Sequence, residues 1–333
     1  METVKRIGIL TSGGDAPGMN AAIRAAVLTA HGAGVECVGI RRGYNGLIAG
    51  DTTPLTPERV EGIITQGGTM LYTARSPEFM TKRGQKRAAE NVRFMGVDAL
   101  VIIGGDGTFR GARILADMGV AVACIPGTID NDIGSTSYTI GFDTACNTAV
   151  EAMDKLNDTM KSHERCSVLE VMGHKTGYIA VNVAISTSAT ATLIPEFPID
   201  LRRDVIEPIR EARLRGDTHF TVIVAEGAYS ASEVAKCIRE ETGIETRVTT
   251  LGHIQRGGIP LVRDRVTATR MGSMAARLLI EGERNKVVVM GGECGDCCES
   301  VELDAALAMK KTLDSDMRRM LRLPDDGGRT ATV

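Results

Sequence analysis

The feature that most constrains the fold is the stretch Ala99–Thr108, where an apolar run stops at three glycines and an aspartate. Such a run predicts a strand buried on both faces of a parallel sheet. The following segment, Phe109–Met118, is expected to form a helix capped by Thr108. Ligands bind at this end of parallel sheets, and glycines let the backbone approach phosphate oxygens. Because a carboxylate among phosphates requires a bridging cation, we predict that Asp106 binds Mg²⁺. A tight turn with a solvated aspartate is the alternative.

Two further strands are predicted to end in similar turns. Thr11–Asn20 follows the predicted strand Val4–Leu10, and Gly127–Asp132 follows the apolar run Ala121–Pro126. The glycine spacing matches neither a Walker loop nor the dinucleotide fingerprint. The carboxylates of the last turn could be local turn chemistry, but their crowding favours a metal, proton or cationic partner. Three such turns at one sheet edge predict a nucleotide or polyphosphate site.

Composition excludes several classes of partner. The chain has 333 residues, a net charge of −3 and 3% aromatic residues. This charge provides no electrostatic basis for binding nucleic acid or a membrane, and few aromatic residues are available to stack on bases. We find neither a membrane-length apolar run nor a signal peptide, so we expect a cytoplasmic protein.

The eight cysteines are predicted to have different environments. Cys124, Cys146 and Cys166 lie inside apolar segments and are expected to be buried thiols. Three others, Cys294, Cys297 and Cys298, form a tighter cluster. Because neither a second cysteine pair nor a histidine lies nearby in the sequence, a zinc site is disfavoured.

The alternation of strands and helices in both halves predicts an α/β fold of two three-layer α/β/α sandwich lobes with mainly parallel sheets. Length is also consistent with about two domains. We expect residues 1–140 with 252–305 to form the larger lobe and 141–251 with 306–323 the smaller. Residues 324–333 are expected to be a mobile tail.

Together with Glu170–Gly173 and Leu251–Gly258, the three turns resemble the bacterial-type ATP-dependent 6-phosphofructokinases (phosphofructokinase A family) from about Lys5 to Gly292. The resemblance implies transfer of the γ-phosphoryl group of ATP to the 1-hydroxyl of D-fructose 6-phosphate, giving fructose 1,6-bisphosphate and ADP. It also implies a glycolytic kinase that uses Mg²⁺ and an active site in the cleft between the lobes. The larger lobe would bind ATP and Mg²⁺, and the smaller lobe fructose 6-phosphate. A homotetramer with shared sites is implied as well.

The resemblance also implies residue roles. Asp130 corresponds to the catalytic base, Thr128 lies at the transferring group, and Arg75 lies between sugar phosphate and nucleotide. The implied ATP-binding residues are Gly14, Arg75, Ser76, Gly105, Asp106, Gly107 and Thr108, with Asp106 on the metal. The implied sugar-phosphate residues are Thr128, Ile129, Asp130, Arg165, Met172, Gly173, His174, Glu226, Arg247, His253 and Arg256. Of these, Arg165 and Arg247 would reach into a neighbouring subunit's site.

The phosphoryl donor depends on two positions. Pyrophosphate-using relatives usually carry Asp where Gly107 stands and Lys where Gly127 stands, so the two glycines favour ATP. The chain departs from the family at His174, where an arginine usually orients the catalytic carboxylate. A pyrophosphate-dependent enzyme and a non-catalytic sugar-phosphate-binding subunit therefore remain alternatives.

Overall fold

The computed structural model describes residues 4–291 and 297–323, which divide into two units. Unit 1 comprises the chain up to Thr144 together with Arg256–Lys311, and unit 2 comprises Ala145–Gln255 and the chain from Thr312 onward. The boundaries predicted at residues 140, 251 and 305 fall short of these crossing points. The predicted tail, 324–333, lies outside the described residues.

Strands and helices alternate along most of the described chain. The strands are β1 Arg6–Ser12, β2 Glu36–Ile40, β3 Thr52–Leu55, β4 Ala99–Gly104, β5 Ala121–Pro126, β6 Cys166–Val171, β7 Ala191–Leu193, β8 Phe220–Ala225, β9 Thr246–Thr250, β10 Lys286–Gly291 and β11 Cys297–Glu302. The α-helices are α1 Met19–Gly32, α2 Tyr44–Ala49, α3 Pro57–Val60, α4 Lys82–Phe94, α5 Asp106–Asp117, α6 Phe142–His163, α7 Tyr178–Thr187, α8 Glu207–Leu214, α9 Ala231–Thr242, α10 Val262–Ile280, α11 Leu303–Ala308 and α12 Ser315–Met320.

Unit 1 contains a seven-stranded sheet in the order β11-β10-β5-β4-β1-β2-β3. The edge strands β3 and β11 are antiparallel to their neighbours, and the other pairs are parallel. In the centre of the sheet, Ser12 is opposite Gly104, which is in turn opposite Pro126. Strands β1, β4 and β5 therefore end level with one another, and their following turns begin side by side.

Helices cover both faces of this sheet. On one face, α2, α4, α5 and α11 enclose a core that includes Leu47, Leu100, Phe109 and Val289. On the other face, α1 and α10 pack against each other. A Cβ atom at Gly272 of α10 would overlap the carbonyl oxygen of Ala22 in α1, so glycine permits this close approach. The predicted α/β architecture is confirmed.

Unit 2 contains a four-stranded parallel sheet in the order β7-β8-β6-β9. Helices α8 and α9 pack on one face, where Val168, Val222 and Val224 contribute to the core. Helix α7 lies against β7 and β8. Because side chains alternate along a strand, Ile223 points away from the α8–α9 side. Its side chain is fully buried, so both faces of the sheet are covered.

Several predicted element boundaries were wrong. Helix α5 begins at Asp106 rather than Phe109, and its N-cap is Gly105. Thr108 therefore lies in the first turn and does not cap it; its hydroxyl donates to the Ser12 carbonyl oxygen instead. Strand β1 runs from Arg6 to Ser12 rather than from Val4 to Leu10. In unit 2, a π-helical segment, Arg202–Ile206, precedes α8.

The cysteines have the environments expected for most of them. Cys124, Cys146 and Cys166 are buried, as predicted. Within the cluster, Cys297 is disulfide-bonded and Cys298 is a free thiol. The third member of the cluster, Cys294, lies outside the described residues. No helix in the described ranges is long and apolar enough to cross a membrane.

Candidate active site

Three glycine- and aspartate-containing turns meet at one edge of the unit 1 sheet. The β4 and β5 turns are joined by a hydrogen bond of 3.0 Å from Gly127 N to Gly104 O. The β1 and β4 turns are joined by the Thr108 hydroxyl, which donates to Ser12 O at 3.0 Å. A Cβ atom at Gly104 would overlap that same carbonyl oxygen, so this junction requires glycine. The sheet register therefore brings together the three turns that the sequence singled out.

The first turn of α5 is open to solvent. Gly107 is exposed, and a Cβ atom there would have no neighbour within 4 Å. The amides of a helix N-terminus favour anions. The backbone of this turn therefore remains accessible to a phosphorylated ligand.

Asp106 is suited to bind a divalent cation together with such a ligand. Its carboxylate is half-exposed, with Arg110 Nε 2.8 Å from Oδ2 across one helical turn. Exposed pairs of this kind contribute little free energy, so a cation can replace the arginine. No cluster of three acidic, histidine or cysteine ligands occurs in the described part of the chain. Mg²⁺ commonly uses one or two carboxylates and completes its shell with phosphate oxygens and water, which fits this donor set.

Asp130 lies in the turn after β5 and is only 9% exposed. The Thr128 hydroxyl lies 3.3 Å from its Oδ2, and the Asp130 amide donates to Thr128 Oγ1 at 3.2 Å. Thr139 in turn donates to the Thr128 carbonyl oxygen at 2.6 Å. The side chain of Ile129, between Thr128 and Asp130, is fully buried, so only the backbone of this residue could contact a substrate. The turn therefore holds a nearly buried carboxylate in a fixed backbone.

The loop that carries Arg75 is attached to the first glycine turn. Thr73 donates a hydrogen bond to Gly13 O at 2.7 Å, and Asn45 Nδ2 donates to Arg75 O at 3.1 Å. These bonds fix the backbone on both sides while the Arg75 side chain remains exposed. The next residue, Ser76, accepts a hydrogen bond from Phe79 N at 3.3 Å. A cation is thus presented close to the first turn.

Arg256 also lies against this turn. Its Nη1 donates to Asp15 O at 3.3 Å, and a Cβ atom at Gly14 would overlap its guanidinium. Glycine at this position lets the guanidinium lie directly on the backbone. Unit 1 therefore contains two arginines, Arg75 and Arg256, beside the β1 turn.

In unit 2, another set of predicted residues follows the carboxyl ends of the parallel strands. Met172 and His174 follow β6, and Glu226 follows β8. Glu226 Oε1 accepts a hydrogen bond of 2.8 Å from the His174 amide, while the amide of Glu226 donates to Val171 O at 2.9 Å. Gly173 between them has φ of 144°, which favours glycine, and His174 itself has φ of 54°. His253 is exposed in the 3₁₀ turn after β9.

Arg165 and Arg247 lie at the opposite edge of that sheet. Arg165 precedes the first residue of β6, and Arg247 is the second residue of β9. Both pair with Glu245, at 2.8 Å and 2.5 Å. A six-residue strand separates this edge from Met172, which corresponds to about 20 Å. The structure therefore does not bring these two arginines together with the other predicted residues of unit 2.

Comparison with known proteins assigns the fold and sequence to a family. The phosphofructokinase family model matches residues 6–279. The chain belongs to the phosphofructokinase family. It is 48% identical over 314 residues to the ATP-dependent 6-phosphofructokinase of Clostridium botulinum, covering 94% of this chain and 97% of that protein. It is 47% identical to the enzyme of the same name from Brevibacillus brevis, covering 96% and 99%.

Solved phosphofructokinase structures have the same fold. The structure from Saccharomyces cerevisiae matches with a TM-score of 0.85 and 33% identity. The match covers 91% of this chain and 45% of the yeast chain, so this member of the family spans less than half of that chain. A pyrophosphate-dependent phosphofructokinase from Marinobacter aquaeolei matches with a TM-score of 0.82 at 20% identity, which shows the fold alone.

No role was predicted from the sequence for three polar residues that are buried or partly buried in the structure. Gln255 is fully buried: its Oε1 accepts from Met172 N at 2.7 Å, and its Nε2 donates to Ala145 O at 3.2 Å. Gln255 lies inside the motif Leu251–Gly258, but only His253 and Arg256 of that motif were predicted to bind substrate. The other two, Asp264 and Lys311, belong to none of the motifs.

Asp264 is a fully buried carboxylate at the start of α10. It accepts hydrogen bonds from Tyr138 Oη and Gly141 N, both at 2.6 Å, and from Thr144 N at 2.9 Å. Burial raises the pKa of this carboxyl group, although the hydrogen bonds act in the opposite direction. Asp264 thereby accepts from amides at and just before the N-terminus of α6, where backbone N–H groups have no partner within the helix.

A cavity of about 670 Å³ in unit 2 is separate from these residues. It lies between Ser188–Ile199, α8 and the segment Met320–Leu323. None of the predicted site residues lines it. This cavity is therefore not part of the candidate active site.

Proposed function

We propose that this protein is an ATP-dependent 6-phosphofructokinase, which phosphorylates the 1-hydroxyl of D-fructose 6-phosphate and releases ADP. The observation that carries the proposal is the meeting of three glycine- and aspartate-containing turns at one sheet edge, with an open backbone at Gly107. An open backbone leaves room for the α-phosphate of a nucleotide. Relatives that are 47–48% identical over most of the chain and are named ATP-dependent 6-phosphofructokinase support the same donor.

In the proposed mechanism, Asp130 is the general base. It takes the proton of the sugar 1-hydroxyl as the hydroxyl oxygen bonds to the γ-phosphorus and the bond to the ADP oxygen breaks. The Thr128 hydroxyl, 3.3 Å from Asp130 Oδ2, orients the carboxylate. Arg75 would stabilise charge on the transferring group, because phosphoryl transfer depends mainly on positioning and charge neutralisation.

Unit 1 is proposed to bind ATP. Gly14, Ser76, Gly105, Gly107 and Thr108 would surround the nucleotide. Asp106 would hold Mg²⁺, which would supply positive charge to offset the charge of the nucleotide phosphates.

Unit 2 is proposed to bind the sugar phosphate through Met172, Gly173, His174, Glu226 and His253. Arg256 is also proposed to bind the 6-phosphate, as a bidentate donor. His174 stands where the family usually has arginine, and its amide is held by Glu226. We propose that the ring of His174 faces the substrate as a hydrogen-bond donor.

We also propose a homotetramer with active sites shared between subunits. The support is the position of Arg165 and Arg247, about 20 Å along the strands from Met172 and Glu226. Arginines at that edge cannot reach a ligand bound at the other edge of the same sheet. They can do so in a neighbouring copy, where Glu245 would exchange for a phosphate. Since both substrates are phosphorylated metabolites, we place the enzyme in the cytoplasm.

A donor-exchange assay tests this proposal. Purified protein is given fructose 6-phosphate and Mg²⁺ with either ATP or pyrophosphate, and fructose 1,6-bisphosphate is measured. We expect turnover with ATP and none with pyrophosphate. Turnover with pyrophosphate alone would assign the alternative donor. Binding of fructose 6-phosphate without turnover by either donor would instead identify a non-catalytic subunit.

A further inference from the structure

The turn that carries Asp130 contains a residue in the left-handed backbone conformation. Asn131, directly after Asp130, has φ of 50°, in a region that asparagine adopts more readily than most residues. Its side-chain amide donates to Ser137 O at 3.4 Å, a long hydrogen bond that closes the loop from 131 to 137. Any motion of this loop is transmitted to the neighbouring Asp130.

A lysine from the C-terminal part of unit 1 binds both ends of this loop. Lys311 Nζ lies 2.7 Å from Asn131 Oδ1 and 3.2 Å from Ser137 O. The lysine is half-buried, and burial lowers its pKa to about 8, while the charge of Asp132 acts in the opposite direction. Removing a lysine from water is costly, so the contacts must compensate. The ammonium group connects Asn131 to Ser137 where their direct hydrogen bond is long.

A second observation places the same segment against the turn. A Cβ atom at Gly134 would overlap the carbonyl group of Met309 and the backbone of Lys310. The backbone of residues 309–310 therefore packs directly on the middle of the loop, and only glycine permits this approach. Lys311 thus projects from a backbone that is itself fixed against the turn.

We propose that Lys311 is a positioning residue for phosphoryl transfer, which holds Asn131 and Ser137 together and so fixes the direction of the Asp130 carboxylate. The inference rests on the proposed function. Lys311 does not contact the reacting atoms, and its effect is exerted through the backbone of Asn131. A misplacement of about 1 Å at a reacting group can reduce the rate by about a hundredfold.

The first test compares Lys311→Met with Lys310→Met, which removes the exposed neighbouring lysine. Both variants and the unaltered protein are assayed with fructose 6-phosphate, ATP and Mg²⁺. For Lys311→Met we expect kcat to fall by about tenfold to a hundredfold with both KM values nearly unchanged. Lys310→Met should match the unaltered protein. Lys311→Arg, which keeps a cationic donor, should recover part of kcat.

The second test is a double-mutant cycle with Asn131→Gly, which tolerates the positive φ and removes the amide oxygen. If Lys311 acts through Asn131, the double variant should have the kcat of the slower single variant. Thermal unfolding of every variant separates the effect on rate from a loss of folding.

Three results distinguish the outcomes. An inactive unaltered protein contradicts the proposed function itself. An active protein in which Lys311→Met keeps its kcat but unfolds at a lower temperature contradicts the positioning role alone. Independent, multiplicative effects on kcat in the cycle would also overturn it, because Lys311 would then not act through Asn131.

Discussion

Asp130 combines low exposure with a fixed backbone, two properties expected of a positioned base. Replacing it with serine keeps a small polar side chain in the turn and removes the proton acceptor. We expect kcat of Asp130→Ser to fall by about two to four orders of magnitude, with little change in KM or unfolding temperature. Steady-state kinetics and thermal unfolding check this. Turnover equal to that of the unaltered protein would remove Asp130 from the mechanism.

The lowered pKa of Lys311 predicts a pH dependence of stability. Between about pH 8, its pKa in the folded protein, and its ordinary value of 10.5, the unfolded chain binds a proton that the folded protein has released. The free energy of unfolding should therefore rise with pH in this window, by at most about 1.4 kcal/mol per pH unit. The measurement is denaturant unfolding of the unaltered protein and Lys311→Met from pH 7 to 10. A stability difference that is constant across this range would contradict the shift.

Single residues also show how far the sequence could predict the site. Glycines and aspartates after apolar runs were found because their chemistry lies within a few positions. The contact between Lys311 and Asn131 joins residues 180 positions apart and follows no spacing rule. Asp264 likewise contacts the start of α6 across 120 positions. Such contacts depend on tertiary packing and could not be derived from one sequence.

At the scale of elements, burial decided which strands could be predicted. β4 and β5 are continuous apolar runs, and the predicted ends of β5 match the structure. The edge strands β3 and β11 were missed because they are short or polar and are antiparallel to their neighbours. They form because β2 and β10 would otherwise leave unpaired backbone groups at the edges of the sheet. Neither edge strand contains the apolar run by which a buried strand is recognised.

Helix α5 begins three residues earlier than predicted, at Asp106, and this start affects the proposed nucleotide site. Because the helix begins at Asp106, Gly107 lies in its first turn with open space around it. Gly107→Ala should leave the fold intact and stabilise it by about 0.5–1 kcal/mol, since alanine is the better helix former. The added methyl group would occupy the space proposed for the nucleotide, so KM for ATP should rise several-fold with KM for fructose 6-phosphate unchanged.

A matched control for this variant is Gly32→Ala, which also adds a methyl group to open space, at the end of α1. Kinetics of both variants against ATP provide the measurement. An unchanged KM for ATP in Gly107→Ala would place the nucleotide elsewhere. An equal change in both variants would indicate a general effect of the added methyl group.

At the scale of the whole molecule, the proposed sharing of sites can be tested by mixing. Asp130→Ser and Arg247→Ala should each be inactive alone. If Arg247 serves a neighbouring copy, about one quarter of the sites in an equal, randomly exchanged mixture contain both intact residues. Activity should recover to about that fraction. Asp130→Ser mixed with Arg75→Ala is the control. Its activity should not recover, because Asp130 and Arg75 of one site come from the same chain, so no site in the mixture has both residues intact.

Proof of subunit exchange, by differently tagged chains that are purified together, accompanies that measurement. Failure to recover activity in exchanged mixtures would contradict shared sites. It would leave the proposed reaction untouched, because the unaltered protein is assayed in parallel.

The division of the chain has a consequence for its synthesis. All four strands of unit 2 lie within Ala145–Gln255, whereas unit 1 acquires β10 and β11 only after that stretch is complete. On a ribosome, the sheet of unit 1 therefore starts first and is completed last. Until β10 arrives, β5 is an apolar edge strand with unpaired amides, a template for pairing with other chains. We expect nascent chains in this interval to be the form of the protein that most needs a chaperone.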